Sequence, residues 1–506
     1  MHLAETEAAR TKAAGTTVSR TTRQHVQSAR SLLQSAAIVA IAAASFTSLI
    51  GCGASYRPVV SAINPVGPSA QPAKYAVAIS SPSPGTPGLV TIVDFSGDTV
   101  LITANIGVDP KYLVLNAAST TSTTGVVTTA NTGYTINGDG TLNVFDISTS
   151  LITSQILETT LLAGANPVSL FAQGANTYVT ETGRNAIGEF LGSPLALRQE
   201  LAVQNPIYVV GLSGGPRAYA LSQGATATST GSAIAIDTTT NTPTSTIPLG
   251  VAPVYGIITN DGRRAFILNQ GSGTVSVINA QTNLLDTFSS GPVVPPATVA
   301  PSTSTIPVGT NPLWADFAPT RSEMVVANAG SGTNNGTLSI ISIPLCNAAA
   351  PVTNVNCDPN NPVDAAGFGT VLASPQVGIN PVMVSALQDG TRAYVANRGN
   401  PNLPCAVAGA GGAVTTTPTG NCTVSVVNLS TNIVSATIPI AGRPLYIAAT
   451  TGAPTGKVYV VCGIDAMAKG TDTNSRNMIV IRTDIDAIDT TIPLQGTGVS
   501  VRVTAQ

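Results

Sequence analysis

An internal repeat constrains this chain more than any other feature of its sequence. Eight short marks pace it: Gly107…Pro110, Gly164…Pro167, Gln204-Asn205-Pro206, Gly250…Pro253, Gly309…Pro312, Gly378…Pro381, Gly442-Arg443-Pro444 and a degenerate Gly496…Val499. Successive marks lie roughly 40–70 residues apart, the spacing of four-stranded repeat units lengthened by loop insertions. The clearest unit runs from Gly378 to Gly442. It opens with Gly378-Ile379-Asn380-Pro381 and the apolar stretch Val382 to Ala386. An Asp389-Gly390 turn, a strand Arg392 to Asn397, a long loop, a strand Thr423 to Asn428, a turn at Ser430 to Asn432 and a strand Ile433 to Ile440 follow.

The other units repeat this order. Proline starts strand A, where its missing N–H is not needed. Strand B is read at Tyr134 to Asn137, Tyr178 to Thr180, Ala218 to Leu221, Phe266 to Asn269, Met324 to Asn328, Tyr394 to Asn397 and Val458 to Val461. Strand C is Thr-Val-Ser-Val-like, as at Thr274 to Asn279 and Thr423 to Asn428. Strand D closes on Ile-Pro, as at Ile247-Pro248, Ile306-Pro307, Ile438-Pro439 and Ile492-Pro493. Only 9 % of residues are charged, with 48 Gly and 35 Pro among 506. Such a chain is too rich in turn formers for a helical array, and at 43 % apolar it is too apolar for disorder.

The ends of the array complete each other. Tyr75 to Ile79, Leu89 to Asp94 and Thr99 to Ile106 are three strands lacking a first, and the tail Val499 to Val503 is one strand lacking followers. Joined in one sheet they remove an open edge and close a ring. The fold expected is an all-β propeller of four-stranded blades over residues 74–506, eight blades by this count with seven the alternative.

Tyr394-Val395-Ala396-Asn397, followed by Thr423 to Asn428, Ile438-Pro439 and a Gly-x-x-Pro, resembles the YVTN-repeat β-propellers of bacterial and archaeal surface proteins. Such propellers are most often seven-bladed, so the count of eight departs from the family. Long inserts obscure the register around 117–133, 287–304 and 344–373.

Before the repeats, Arg10, Lys12, Arg20, Arg23 and Arg30 precede an uncharged stretch, Leu32 to Ile50. It ends in Leu49-Ile50-Gly51-Cys52, which resembles the lipobox of bacterial lipoproteins. The resemblance implies a signal peptide over 1–51, cleavage before Cys52 and a lipid on its thiol; an uncleaved membrane span is the alternative reading. Gly53 rather than Asp at the next position implies the outer membrane, with the periplasmic or exterior face left open. Residues 52–73, rich in Pro, are expected to be a tether. Six cysteines suit an oxidising compartment. Cys346 with Cys357 and Cys405 with Cys422 are candidate loop disulfides, and Cys462 is expected to be a buried small hydrophobe.

The only histidines, His2 and His25, lie in the presumed signal. The remainder then holds no His-based triad, general base or metal ligand. Gly211-Leu212-Ser213-Gly214-Gly215 matches a nucleophile elbow but joins two strands, so it reads as a hairpin. Asp484, Asp486 and Asp489 occupy a turn, where Asp is a favoured residue, rather than a calcium loop. No catalytic residue, metal or cofactor is expected.

The B–C and D–A loops of a propeller emerge on one face, which would gather Lys111, Glu181, Arg184, Arg398, Arg443, Asp465, Lys469, Asp472 and Arg476 as a candidate binding face. Trp314 reads as core rather than as a sugar-stacking platform. The formal charge of −2 argues against nucleic acid. The expectation is a monomeric, lipid-anchored module at the cell envelope that binds a protein, glycan or other ligand. The alternatives are a lactonase-like or quinoprotein-like propeller enzyme and a structural surface component.

Overall fold

The computed structural model describes residues 74–121, 127–147, 156–173, 176–212, 215–226, 228–289, 302–344, 367–408, 414–418, 420–450, 455–468 and 472–504. Cys52, Cys346, Cys357, Lys469, Ser213, the presumed signal and the tether lie outside them. Eight antiparallel blades form a propeller, settling the blade count at eight. Blade 1 joins the two ends of the repeat array: its innermost strand A is Thr497–Val503, followed outward by Tyr75–Ser81, Pro87–Asp94 and Thr99–Val108. Ala78 pairs with Val501, and Ala76 with Val503.

Blades 2 to 8 begin with inner strands Pro110–Thr121, Pro167–Gln173, Pro206–Gly211, Pro253–Ile258, Pro312–Ala318, Pro381–Ala386 and Arg443–Thr450. Neighbouring inner strands touch all the way round, Thr497–Val503 lying between Arg443–Thr450 and Pro110–Thr121. The inserts that obscured the register resolve in two ways. In blade 2 the A–B hairpin simply lengthens, pairing as far as Thr121 with Val127. In blades 5 and 6 the outer strand is interrupted, with Leu284–Leu285 and Thr305–Pro307 sharing one role and Val371–Ala373 and Gln376–Ile379 the other.

Apolar residues of alternate register fill the wedges between blades. Between blades 4 and 5, for example, Tyr219, Leu221, Ala233 and Ala235 meet Ile258, Ala265, Ile267 and Ile278, all buried.

The repeat signature has a physical reading at two points. Asn397, at the end of strand B, is buried and donates from Nδ2 to Thr423 Oγ1 at 3.0 Å and Ser425 Oγ at 2.9 Å. Asn269 does the same with Thr274 and Ser276, and Asn328 with Thr337 and Ser339. The Gly of the next mark packs on this network: a Cβ on Gly378 would lie 2.5 Å from Thr423 Oγ1 and 2.7 Å from Asn397 Nδ2. Asn, Thr and Gly, distant in sequence, are thus one unit.

The second point is a clasp between blades. Tyr394 on strand B donates to Asp486 in the C–D turn of the next blade at 2.7 Å. Tyr219 reaches Asn283, Tyr178 reaches Asn241, and Tyr459 reaches Asp98. All four acceptors have left-handed backbone (φ 49 to 56°), a conformation Asn and Asp tolerate. Tyr459–Asp98 carries the clasp across the closing blade.

Candidate functional site

Each inner strand bulges close to its start. The pairing skips from Pro110 to Tyr112, Pro206 to Tyr208, Pro253 to Tyr255, Pro312 to Trp314 and Pro444 to Tyr446. The same shift occurs at Pro167/Ser169 and Pro381/Met383. A bulge re-aims the side chains that follow it. Here it turns the second residue after each proline into the central channel, where a Pro-x-aromatic pattern becomes a plug.

In that plug Trp314 stacks on Tyr255 with centroids 4.0 Å apart and meets Tyr446 edge-on at 5.4 Å. Tyr208 contacts Tyr255 at 5.0 Å, and the Tyr208 and Tyr112 hydroxyls share a hydrogen bond of 3.1 Å. Trp314 packs against the apolar clusters of the neighbouring wedges and fills the channel, half-buried, rather than standing as an exposed platform. An eight-fold ring leaves a wide axis, and large rings close it.

Two residues further along, the inner strands place Val114, Phe171, Val210, Ile257, Asp316, Ser385, Ala448 and Arg502 around a cavity of about 490 Å³. It has the aromatic plug on one side and extends toward the A–B turns, reaching Leu212 and Thr504. The chain enters the ring beside it, Tyr75 N donating to Thr504 Oγ1 at 2.9 Å.

The polar residues of this layer hold neighbouring strands. Asp316 accepts from Ala386 N of the next inner strand at 2.9 Å, and from Phe317 N at 2.9 Å. Ser385 accepts from Ala449 N at 3.1 Å, and Arg502 Nε donates to Leu113 O at 3.2 Å. Burial raises the Asp316 pKa to about 6 despite its two N–H donors. Burial likewise holds the Tyr208, Tyr255 and Tyr446 hydroxyls well above their usual range. For Arg502 burial works against the charge, but the phenols of Tyr446, Tyr112, Tyr208 and Tyr255 outweigh it and the pKa is raised. Its guanidinium lies 4.5 Å from the Tyr446 ring centre and 5.6 Å from those of Tyr112 and Trp314.

The charges of the loop face divide between buried pairs and exposed side chains. Arg443 and Asp465 are buried and paired at 2.8 Å, and Arg443 also donates to the carbonyls of Arg398, Asn400, Pro401 and Leu403. Asp465 accepts from Cys405 N, and Asp472 from Asp465 N and Ser475 N. Cys405 and Cys422 are joined by a disulfide. These residues knot two B–C loops together, leaving Arg398 and Arg476 exposed. In blades 2 and 3, Lys111 is exposed beside Asp109, and Arg184 bonds Glu200 at 2.8 Å. Glu181 occupies the buried position that Asn397 holds in its blade, and burial next to Glu200 raises its pKa to about 7. Cys462 fills the same position in blade 8, buried, its thiol raised to about 12 by burial.

Asp484 and Asp486 sit on the C–D turn of blade 8, bound to Arg482 and Arg392. Among the described residues no group of three His, Cys, Asp or Glu side chains converges as a metal site, and no helix is long and apolar enough to cross a membrane.

No protein-family model matches the chain, and neither does any curated protein sequence. Solved structures do. The dihydro-heme d1 dehydrogenase NirN, in complex with DHE, is 10 % identical with a TM-score of 0.53, over 84 % of this chain and 74 % of that one. Apo AztD from Citrobacter koseri is 12 % identical with a TM-score of 0.48, over 85 % and 97 %. A candidate 6-phosphogluconolactonase from Bacteroides fragilis is 12 % identical with a TM-score of 0.45, over 87 % and 100 %. At such identities the likeness is one of fold. The chain is a β-propeller, and its YVTN-like features remain a resemblance in residues.

Proposed function

We propose that this protein is a lipid-anchored propeller of the cell envelope that binds a small organic ligand in its central channel, without chemical conversion. The channel cavity carries this reading. It is large enough for a drug-sized molecule, and its walls set a few fixed polar groups, Asp316, Ser385 and Arg502, among apolar side chains such as Phe171, Val210 and Ile257. Binding rather than catalysis is favoured because Asp316, Ser385 and Arg502 are engaged in bracing neighbouring strands. The only histidines of the chain are His2 and His25. The envelope address rests on Leu49-Ile50-Gly51-Cys52 and on the loop disulfide, which suits an oxidising compartment.

Trp314 is the sole tryptophan and lies against the cavity, so its emission reports occupancy directly. Titration with a library of small organic acids, amines and neutral aromatics is expected to shift that emission and raise the melting temperature for one class. Silence across the whole library on both readouts would sink the channel reading. Cys52→Ala is expected to abolish incorporation of a fatty-acid label and to release the protein from membranes; label retained on the variant would remove the anchor.

A further inference from the structure

The fully buried cations of this ring are all paired among the described residues. Arg264 pairs with Asp286, Arg443 with Asp465 at 2.8 Å, and Lys457 with Asp98 at 2.7 Å. In a charge-poor interior this is expected, because a buried charge without a partner is costly. Arg502, half-buried in the channel, differs: it has no carboxylate within 4.0 Å among the described residues. Its Nε serves Leu113 O and its Nη2 serves the Tyr112 hydroxyl at 3.2 Å, while Nη1 donates to nothing among them. Asp316, the one acid lining the cavity, faces Arg502 across the channel and feels its charge, but makes no ion pair with it, each oxygen already accepting a backbone N–H.

The guanidinium is held rigidly, its plane packed among Tyr112, Trp314 and Tyr446. A fork so fixed loses little entropy when it bonds a carboxylate. Resting on the reading of the channel as a binding site, we infer that its ligand is an organic anion: a carboxylate that supplies the counter-charge to Arg502, carried on an aromatic or branched apolar body that packs against Phe171, Val210 and Ile257. No sequence mark announces the site. Arg502 stands where the other inner strands carry Val114, Phe171 or Ile257, and only the bulge between Gly498 and Ser500 fixes its inward direction.

The test uses the full chain and three probes with one hydrocarbon body: 4-phenylbutyrate, its neutral amide, and 4-phenylbutylamine. Affinity is read from Trp314 emission and checked by calorimetry. The acid is expected to bind at least tenfold more tightly than the amide, and the amine more weakly than either. Arg502→Gln is expected to bring acid and amide to within twofold of each other, and Arg502→Lys, which keeps the charge but not the fork, to leave part of the preference. The acid–amide comparison on the unaltered protein needs no variant to fold. An amide as tight as the acid would overturn the anion inference while leaving the channel a binding site. No binding by any of the three, together with silence across the wider library, would overturn both.

Discussion

At the scale of single residues, the repeat is held by contacts with no slack. Gly378 has ordinary backbone, so its requirement is one of space: the Asn397–Thr423–Ser425 network lies where a Cβ would go. Gly378→Ala must displace a buried hydrogen-bonded amide and is expected to cost about 2–3 kcal/mol in chemical denaturation. Gly97→Ala, whose nearest contact is 3.4 Å away, should cost under about 0.5 kcal/mol. Equal costs would remove the packing explanation. Asp316 makes a prediction of opposite character. Its folded pKa of about 6 lies above the ordinary 3.8, so the folded state binds the proton more tightly than the unfolded one. Its contribution to stability is therefore full at low pH and is lost as pH rises through about 6. The melting temperature of Asp316→Asn minus that of the unaltered protein should become more positive between pH 4 and pH 8. A flat difference would show that the carboxyl titrates normally.

At the scale of elements, the tyrosine clasps tie four of the eight blades to the next through a turn residue. Tyr394→Phe removes only the hydroxyl that meets Asp486 and should cost about 1–2 kcal/mol. In a double-mutant cycle with Asp486→Ala most of that cost should vanish, and full additivity would deny the clasp. Strand order, blade count and closure are all legible in the sequence, because alternation recurs in every unit and Asp-Gly turns and Ile-Pro ends mark several of them. The clasps are not, since Tyr394 and Asp486 lie in different blades and nothing local links them. The plug is a different case. Pro-x-aromatic recurs at Tyr112, Tyr208, Tyr255, Trp314 and Tyr446 and was open to view, yet its direction depends on a bulge that shifts strand phase by one residue. Charge on the loop face is the more conspicuous signal in the sequence. There Arg443 and Asp465 prove to be the buried rivet between two loops, a role that charge counting along a sequence does not distinguish from recognition.

At the scale of the molecule, one strand does two separable jobs. Thr497–Val503 closes the ring by pairing with Tyr75–Ser81, and it also delivers Arg502 to the channel. Val501 and Val503 are buried against blade 8, so removing residues 498–506 strips apolar area from that wedge and bares the strand edge beginning at Tyr75. Two buried valines and a run of ladder bonds together exceed about 5 kcal/mol, enough in a ring of this size to lower the melting temperature by about 5 °C or more. Arg502→Gln leaves the backbone pairing of the strand untouched and should melt within a few degrees of the unaltered protein while changing ligand choice. The deletion should instead broaden the transition and lower it, as measured by far-ultraviolet circular dichroism, because an open ring lets blades unfold from a free edge. If the deleted protein melts as sharply and at the same temperature, closure contributes nothing to stability. If Arg502→Gln melts as low as the deletion, the arginine is part of the closing device, and its service to Leu113 and Tyr112 outweighs any role in the channel.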